Sequence, residues 1–278
     1  VAQIAHTLNR YPDREHVALP RAFSRYLASE SAVALPVDQL WGGNGSNEIM
    51  LQLFQAFGGP GRTALGCDPT YAMYPEYARD TFTTWKLAHR RPDFTLDVKA
   101  TIMAIEKYQP SMVLITSPNN PTGTTLAMED LEPLLAVCDT APVAGAGADA
   151  HPVLIVDEAY VEFRDPGTPS AVSLLAGHDN LAVSRTMSKA FAFAGARVGY
   201  VAASRGIIDS LRIVRMPTIF PQLPRLRPWR PSSIPTISCA RSPICARPAS
   251  GPHAGLPGRP IGAPPFRWLH LPPTFCAS

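Results

Sequence analysis

The 278-residue sequence predicts an α/β fold around a mostly parallel, buried sheet. Three observations predict it. Short apolar runs, Ser111 to Thr116 (SMVLIT) and Val153 to Val156, have the continuous character of strands covered on both faces. Such runs alternate with amphipathic stretches of helical length, the order that winds a parallel sheet. Polar, turn-forming residues follow the runs directly, where an open α/β sheet presents its ligand-binding carboxyl edge.

In order, residues 1–40 read as a connecting arm with a turn at Tyr11-Pro12-Asp13 and a helix near Leu19 to Ala28. Tyr11 taken alone reads as a packing residue. At Trp41 a glycine-rich turn, WGGNG, opens an amphipathic helix that Ser46 or Asn47 can cap, with Glu48 in the first turn. Such an entry exposes backbone N–H groups that suit an anion, although an ordinary capped helix reads the same way. Thr63 to Gly66 reads as a strand, with Pro69-Thr70-Tyr71 turning from its end toward a helix. A strand is expected over Thr81 to Leu87, a loop at Arg90-Arg91-Pro92 and a helix from Asp97 to Tyr108. The SMVLIT strand runs into Ser117-Pro118-Asn119-Asn120-Pro121-Thr122-Gly123, a rigid loop that holds two amides at the strand's end. A helix follows from Met128 to Ala136, then a small-residue loop, then the strand that ends in Asp157-Glu158-Ala159-Tyr160. Leu181 to Arg185 and Gly199 to Ala203 complete the strands.

Chemistry gathers around Ser184 to Tyr200, SRTMSKAFAFAGARVGY. Lys189 lies among small hydroxyls, Ser184, Thr186 and Ser188, and Arg197 follows eight residues later. Gly195 and Gly199 interrupt the apolar run, which makes it a poor core helix. These residues suit a lysine that forms a Schiff base with an aldehyde cofactor, with Thr186, Ser188 and Arg197 gripping a phosphate. Asp157, at the end of a buried strand, reads either as a turn cap or as a carboxylate paired with a cation such as a protonated pyridine nitrogen. Tyr160 can reach the same pocket, and Tyr71 is a candidate for ring stacking.

Composition narrows the class. Hydrophobic residues make up 46%, enough for a sizeable core, and the net charge is +3. From Pro217 on there are seven Arg and no Lys, Asp or Glu, so residues 1–216 carry 18 basic and 22 acidic groups, a net −4. The body is expected to be a mildly acidic, soluble, cytoplasmic protein without a membrane span, a signal peptide or a nucleic-acid partner. Cys67 and Cys138 read as reduced, and no cysteine spacing suggests a metal. Fifteen of the 30 prolines fall in residues 217–278, which is incompatible with regular helix or central strand. This segment carries Trp229, Phe266 and Trp268, unlike a basic binding arm, and it reads as a disordered, non-native tail translated out of frame.

Six motifs, LNRYPD, NGSNEI, DPTYAMYPEYA, SPNNPTG, VDEAYVEF and SRTMSKAFAFAGARVGY, give residues 8–216 a resemblance to the histidinol-phosphate aminotransferases, pyridoxal-phosphate enzymes of fold type I. The resemblance implies a large cofactor-binding domain over residues 41–216. It implies Lys189 as Schiff-base lysine and proton carrier, Asp157 on the pyridine nitrogen, and Asn120 and Tyr160 on the ring's phenolic oxygen. Tyr71 would stack on the ring of pyridoxal 5'-phosphate. Ser46 and Asn47, with Thr186, Ser188 and Arg197, would hold its phosphate. Tyr11 would reach the partner's site in a homodimer. The implied reaction is that of L-histidinol phosphate with 2-oxoglutarate, an amino-acid substrate class shared with aromatic-amino-acid aminotransferases. The family's small C-terminal domain, which holds the substrate carboxylate, has no counterpart here. An inactive fragment, or a non-catalytic pseudogene product, is therefore the expectation for the chain as written.

Overall fold

The computed structural model describes residues 17–216. Tyr11 and the proline-rich tail lie outside the described residues. Seven strands form one sheet: β1 (Leu40–Gly43), β2 (Thr63–Asp68), β3 (Thr84–His89), β4 (Met112–Thr116), β5 (Val153–Asp157), β6 (Leu181–Thr186) and β7 (Gly199–Ala203). Their spatial order is β1-β7-β6-β5-β4-β2-β3. Strands β2 to β6 run parallel, and β7 is antiparallel to both of its neighbours, β6 and β1.

Every residue of β4, β5, β6 and β7 is buried, because helices cover both faces. Alternation along the strands decides which helix meets which residue. Val113, Leu154 and Val183 pack with Phe23 and Leu27 of α1 (Ala18–Glu30), Ile105 of α4 (Val98–Tyr108) and Leu131 and Leu134 of α5 (Met128–Cys138). Leu114, Ile155 and Val201 pack on the other face. There they meet Ile49 and Leu53 of α2 (Ser46–Phe57), Tyr74 of α3 (Tyr74–Asp80) and Ile208 and Leu211 of α6 (Arg205–Val214).

The described part of residues 1–40 thus packs into the same core as residues 41–216. Phe23 stacks on Tyr200 with ring centroids 4.1 Å apart. Buried charges reinforce this join. Arg185 of β6, 1% exposed, donates from Nε to Glu158 and from Nη1 to Glu30, each at 2.9 Å, and from Nη2 to Ser170 at 2.7 Å. Arg164 reaches the second oxygen of Glu30 at 2.6 Å.

Three local expectations are corrected, and one helix is added. The turn WGGNG contains a strand, β1, whose Trp41 is fixed by its indole N–H to Gln52 at 2.8 Å. The strand expected over Thr81 to Leu87 is β3, three residues later at its start. Thr81 instead closes α3 by donating to the Tyr77 carbonyl at 2.8 Å, and Phe82 turns with φ of 58°. Neither Ser46 nor Asn47 caps α2. The N-cap is Gly45, and both residues lie inside the helix. Helix α6 was not expected; Ser204 caps it, its Oγ accepting from the Ile207 N–H.

Removing one member of a buried ion network leaves the others uncompensated. Arg185→Met is expected to destabilise the fold by about 3–5 kcal/mol. Equilibrium urea unfolding measures this, and a loss below about 1 kcal/mol would show that the network contributes little.

Candidate active site

Parallel pairing sets the carboxyl ends of the central strands side by side. Thr116 pairs with Asp157, and Asp157 with Ser184, so the last residues of β4 and β5 lie level with Ser184, two residues before the end of β6. The predicted site residues come from the loops that leave this edge and from the hairpin between β6 and β7.

Asp157 is 5% exposed. Its Oδ2 accepts from the Tyr74 hydroxyl at 2.8 Å and its Oδ1 from the Ala159 N–H at 3.2 Å. Burial pushes its carboxyl up from 3.8 to about 6, against the two hydrogen bonds and the positive charge of Lys189. The next residue, Glu158, serves the opposite face of the sheet, where it holds Arg185. Lys189 is exposed on the hairpin with its Nζ 5.3 Å from the centre of the Tyr160 ring, a cation–π distance.

A second group of donors surrounds the start of α2. Gly45 adopts φ of +85°, and a side chain there would collide with the guanidinium of Arg197 at 2.5 Å. Arg197 Nη2 donates to the Asn44 carbonyl at 3.3 Å and Nη1 to that of Ala194 at 3.2 Å. A Cβ on Gly199 would lie 2.4 Å from the backbone nitrogen of Ser46, so β7 passes directly beneath the helix entry. Thr186 Oγ1 and Ser188 Oγ are 3.1 Å apart, and Thr186 Oγ1 also accepts from the Ser188 N–H. Asn47 is exposed on the first turn of α2. Glu48 reaches back to accept from the Asn44 N–H.

Tyr71 and Asn120 occupy the loops after β2 and β4, each half-buried. Tyr71 meets Tyr74 edge to face at 5.6 Å. Two further residues escaped the sequence reading. Tyr74 is one helical turn beyond Tyr71, a spacing that the repeated tyrosines of DPTYAMYPEYA display. Asn119 joins the two loops, donating from Nδ2 to the Pro69 carbonyl at 3.0 Å and to Thr122 Oγ1 at 2.7 Å. The adjacent asparagines of the motif flagged the place without saying which one is structural. Arg90 adds a third tie, donating to the carbonyls of Cys67 and Thr116 at 3.3 and 3.4 Å.

Among the described residues no cluster of His, Cys, Asp and Glu could hold a metal ion, and no helix is long and apolar enough to cross a membrane. The site thus consists of an exposed lysine, a buried carboxylate and a group of hydrogen-bond donors at the entry to α2, on a mostly parallel sheet.

This layered sheet is the fold of the type I pyridoxal-phosphate transferases. A histidinol-phosphate aminotransferase from Sinorhizobium meliloti, solved in complex with pyridoxal-5'-phosphate, matches it with a TM-score of 0.63 at 22% identity, over 77% of this chain and 54% of that one. The family model for aminotransferase class I and II matches residues 2–226, and the chain belongs to that family, whose enzymes depend on pyridoxal phosphate. Histidinol-phosphate aminotransferases of Bifidobacterium longum and Bifidobacterium adolescentis are 75% and 73% identical to it over 217 residues, 78% of this chain. The chain spans 56% of the length of each.

Two predictions follow from the geometry. Gly199→Ala places a methyl against backbone that has no room to yield, and is expected to cost about 1–3 kcal/mol in thermal unfolding. An unchanged Tm would show that β7 and the entry to α2 can separate. The second concerns pH. Asp157 binds its proton more tightly in the folded chain than in the unfolded one, so its contribution is favourable at low pH and is lost as pH rises from about 4 to about 6. Without cofactor, Asp157→Asn should flatten the stability curve across that window and remove a penalty of about 2–3 kcal/mol at neutral pH. Identical curves for the two chains would refute the raised value.

Proposed function

We propose that residues 17–216 form the pyridoxal-phosphate-binding part of a histidinol-phosphate aminotransferase, which converts L-histidinol phosphate and 2-oxoglutarate to imidazole-acetol phosphate and L-glutamate. The observation that carries the reading is a dry carboxylate, Asp157, at one sheet edge within electrostatic reach of the exposed amine of Lys189. The residues fit the cofactor at two points. A buried carboxylate whose ionised form is penalised by burial gains from a cation, and a protonated pyridine nitrogen is one. The missing side chains of Gly45 and Gly199 let the Arg197 guanidinium and the Ser46 backbone nitrogen come close together at the entry to α2, a donor set suited to a phosphate.

When bound, pyridoxal phosphate supplies an aldehyde that captures amines and a ring that accepts the electron pair left by a departing proton. The chain's residues supply the rest. Lys189 would be the nucleophilic amine that holds the aldehyde and the base that moves a proton at the substrate carbon. Asp157 holds the ring nitrogen protonated. Asn120 and Tyr160 would hold the ring's phenolic oxygen, and Tyr71 would stack on the ring. Thr186, Ser188 and Arg197, with Ser46 and Asn47 at the entry to α2, fix the phosphate. The substrate assignment rests on the two relatives' 73–75% identity. A homodimer in the cytoplasm completes the proposal.

Borohydride reduction of the chain incubated with pyridoxal phosphate, followed by peptide mapping, is expected to place the label on Lys189. Label on Lys86, Lys99 or Lys107 would overturn the assignment. In a version of the chain that also carries the family's C-terminal domain, histidinol phosphate should change the cofactor's absorbance in a single turnover at lower concentration than phenylalanine does. The reverse order would favour an aromatic-amino-acid aminotransferase.

A further inference from the structure

Tyr74 is fully buried, and its hydroxyl lies 2.8 Å from Asp157 Oδ2 and 2.8 Å from Thr116 Oγ1. Thr116 Oγ1 is in turn 3.3 Å from the hydroxyl of Thr70, which is half-buried in the loop after β2. Three hydroxyls from three segments therefore form a line that ends on the carboxylate. Chemistry sets the direction of the last two bonds. An ionised carboxylate only accepts, so the single proton of Tyr74 is committed to Asp157, and Thr116 donates to the oxygen of Tyr74. Burial, and then the charge of Asp157, hold the phenol's own proton on well beyond the usual range, so Tyr74 is a permanent donor.

The ring has packing work too. It meets Tyr71 at 5.6 Å and Trp85 at 6.4 Å. A phenylalanine would do that work equally well. A hydroxyl in this dry place, with hydrogen bonds of good length on both sides, implies a task for the oxygen.

We propose that Tyr74 is a positioning residue of the site: its hydroxyl, oriented by Thr116, keeps the Asp157 carboxylate ionised and aimed at a cation bound at the strand edge. The proposal rests on the cofactor reading above for the identity of that cation, the ring nitrogen of pyridoxal phosphate. The hydrogen bond itself belongs to the chain without cofactor and can be tested there. The other titratable or charged groups acting on this pair are Glu158 next in sequence, Lys189 on the hairpin, Tyr71 on the facing loop, Tyr77 on α3 and Arg90 after β3. Substitutions at Tyr74 and Thr116 leave all of them in place.

The test compares the wild-type chain, Tyr74→Phe and Thr116→Val, all without cofactor. The infrared band of the protonated Asp157 carboxyl, identified by its loss in Asp157→Asn, is followed against pH. Loss of a hydrogen bond to a charged group should move the titration midpoint of Tyr74→Phe upward by about one to two pH units. Thr116→Val should move it in the same direction by less, and it still decides the matter if Tyr74→Phe does not fold. Midpoints equal to wild type in the folded variants would overturn the proposal and leave Tyr74 a packing residue. A second readout is retention of pyridoxal phosphate on dialysis at neutral pH, which Tyr74→Phe should lower roughly tenfold, about the effect of 1.4 kcal/mol. If the wild-type chain takes up no pyridoxal phosphate at Lys189, the cofactor reading falls, and the titration still judges Tyr74.

Discussion

A carboxylate removed from water is costly, and the architecture around Asp157 is arranged to keep one ionisable at the end of β5. The cost is offset from three directions: the phenol of Tyr74 from α3, the peptide N–H of Ala159 from its own loop, and the charge of Lys189 from the hairpin. Each of these depends on a different part of the fold. The parallel register sets Thr116 beside Asp157, the turn after β2 sets Tyr74 against both, and the antiparallel return of β7 sets the hairpin. A slip of one residue in β5 would send Asp157 to the opposite face and exchange it with Glu158.

That exchange would be ruinous, because the two neighbouring acids serve opposite environments. Asp157 faces the α2–α3 side and is held by neutral donors together with a distant cation. Glu158 faces the α1 side and takes a full ion pair from Arg185, with Ser170 and the Ala171 N–H as further donors. One carboxylate is saturated by permanent partners. The other is left short of positive charge. This asymmetry between adjacent residues distinguishes a structural acid from one poised to meet a ligand.

Much of this was legible in the sequence. The buried strands announced themselves because residues covered on both faces need no polar alternation, and β4 and β5 fell where SMVLIT and VLIV stand. The loops after them were legible because prolines, amides and acids interrupt apolar runs so abruptly. Strand β1 was hidden, since Leu40-Trp41-Gly42-Gly43 carries the glycines of a turn; close approach to Ile49 and Glu48, not chain reversal, explains Gly43. Helix α6 was hidden by a pattern with both charged and apolar residues next to a change in composition. Tyr74 was hidden because a tyrosine's oxygen gains its meaning only from groups 42 and 83 residues away in the chain. Propensity and pattern report local preference. They are silent on which distant hydroxyl a buried acid will meet.

The hairpin between β6 and β7 has a kinetic consequence. Lys189 and Arg197 both lie on one twelve-residue connection, Met187 to Val198, closed by the Met187 N–H on the Val198 carbonyl at 2.9 Å. Loops of this length close in on the order of 10–100 ns, far faster than the parallel crossovers of the sheet can assemble. The loop that carries both basic side chains can therefore close locally, ahead of the long-range pairing that brings the distant carboxylate and the helix entry to it. Insertions or deletions in the long β2–β5 crossovers should alter how fast the whole sheet forms while leaving this early loop closure untouched.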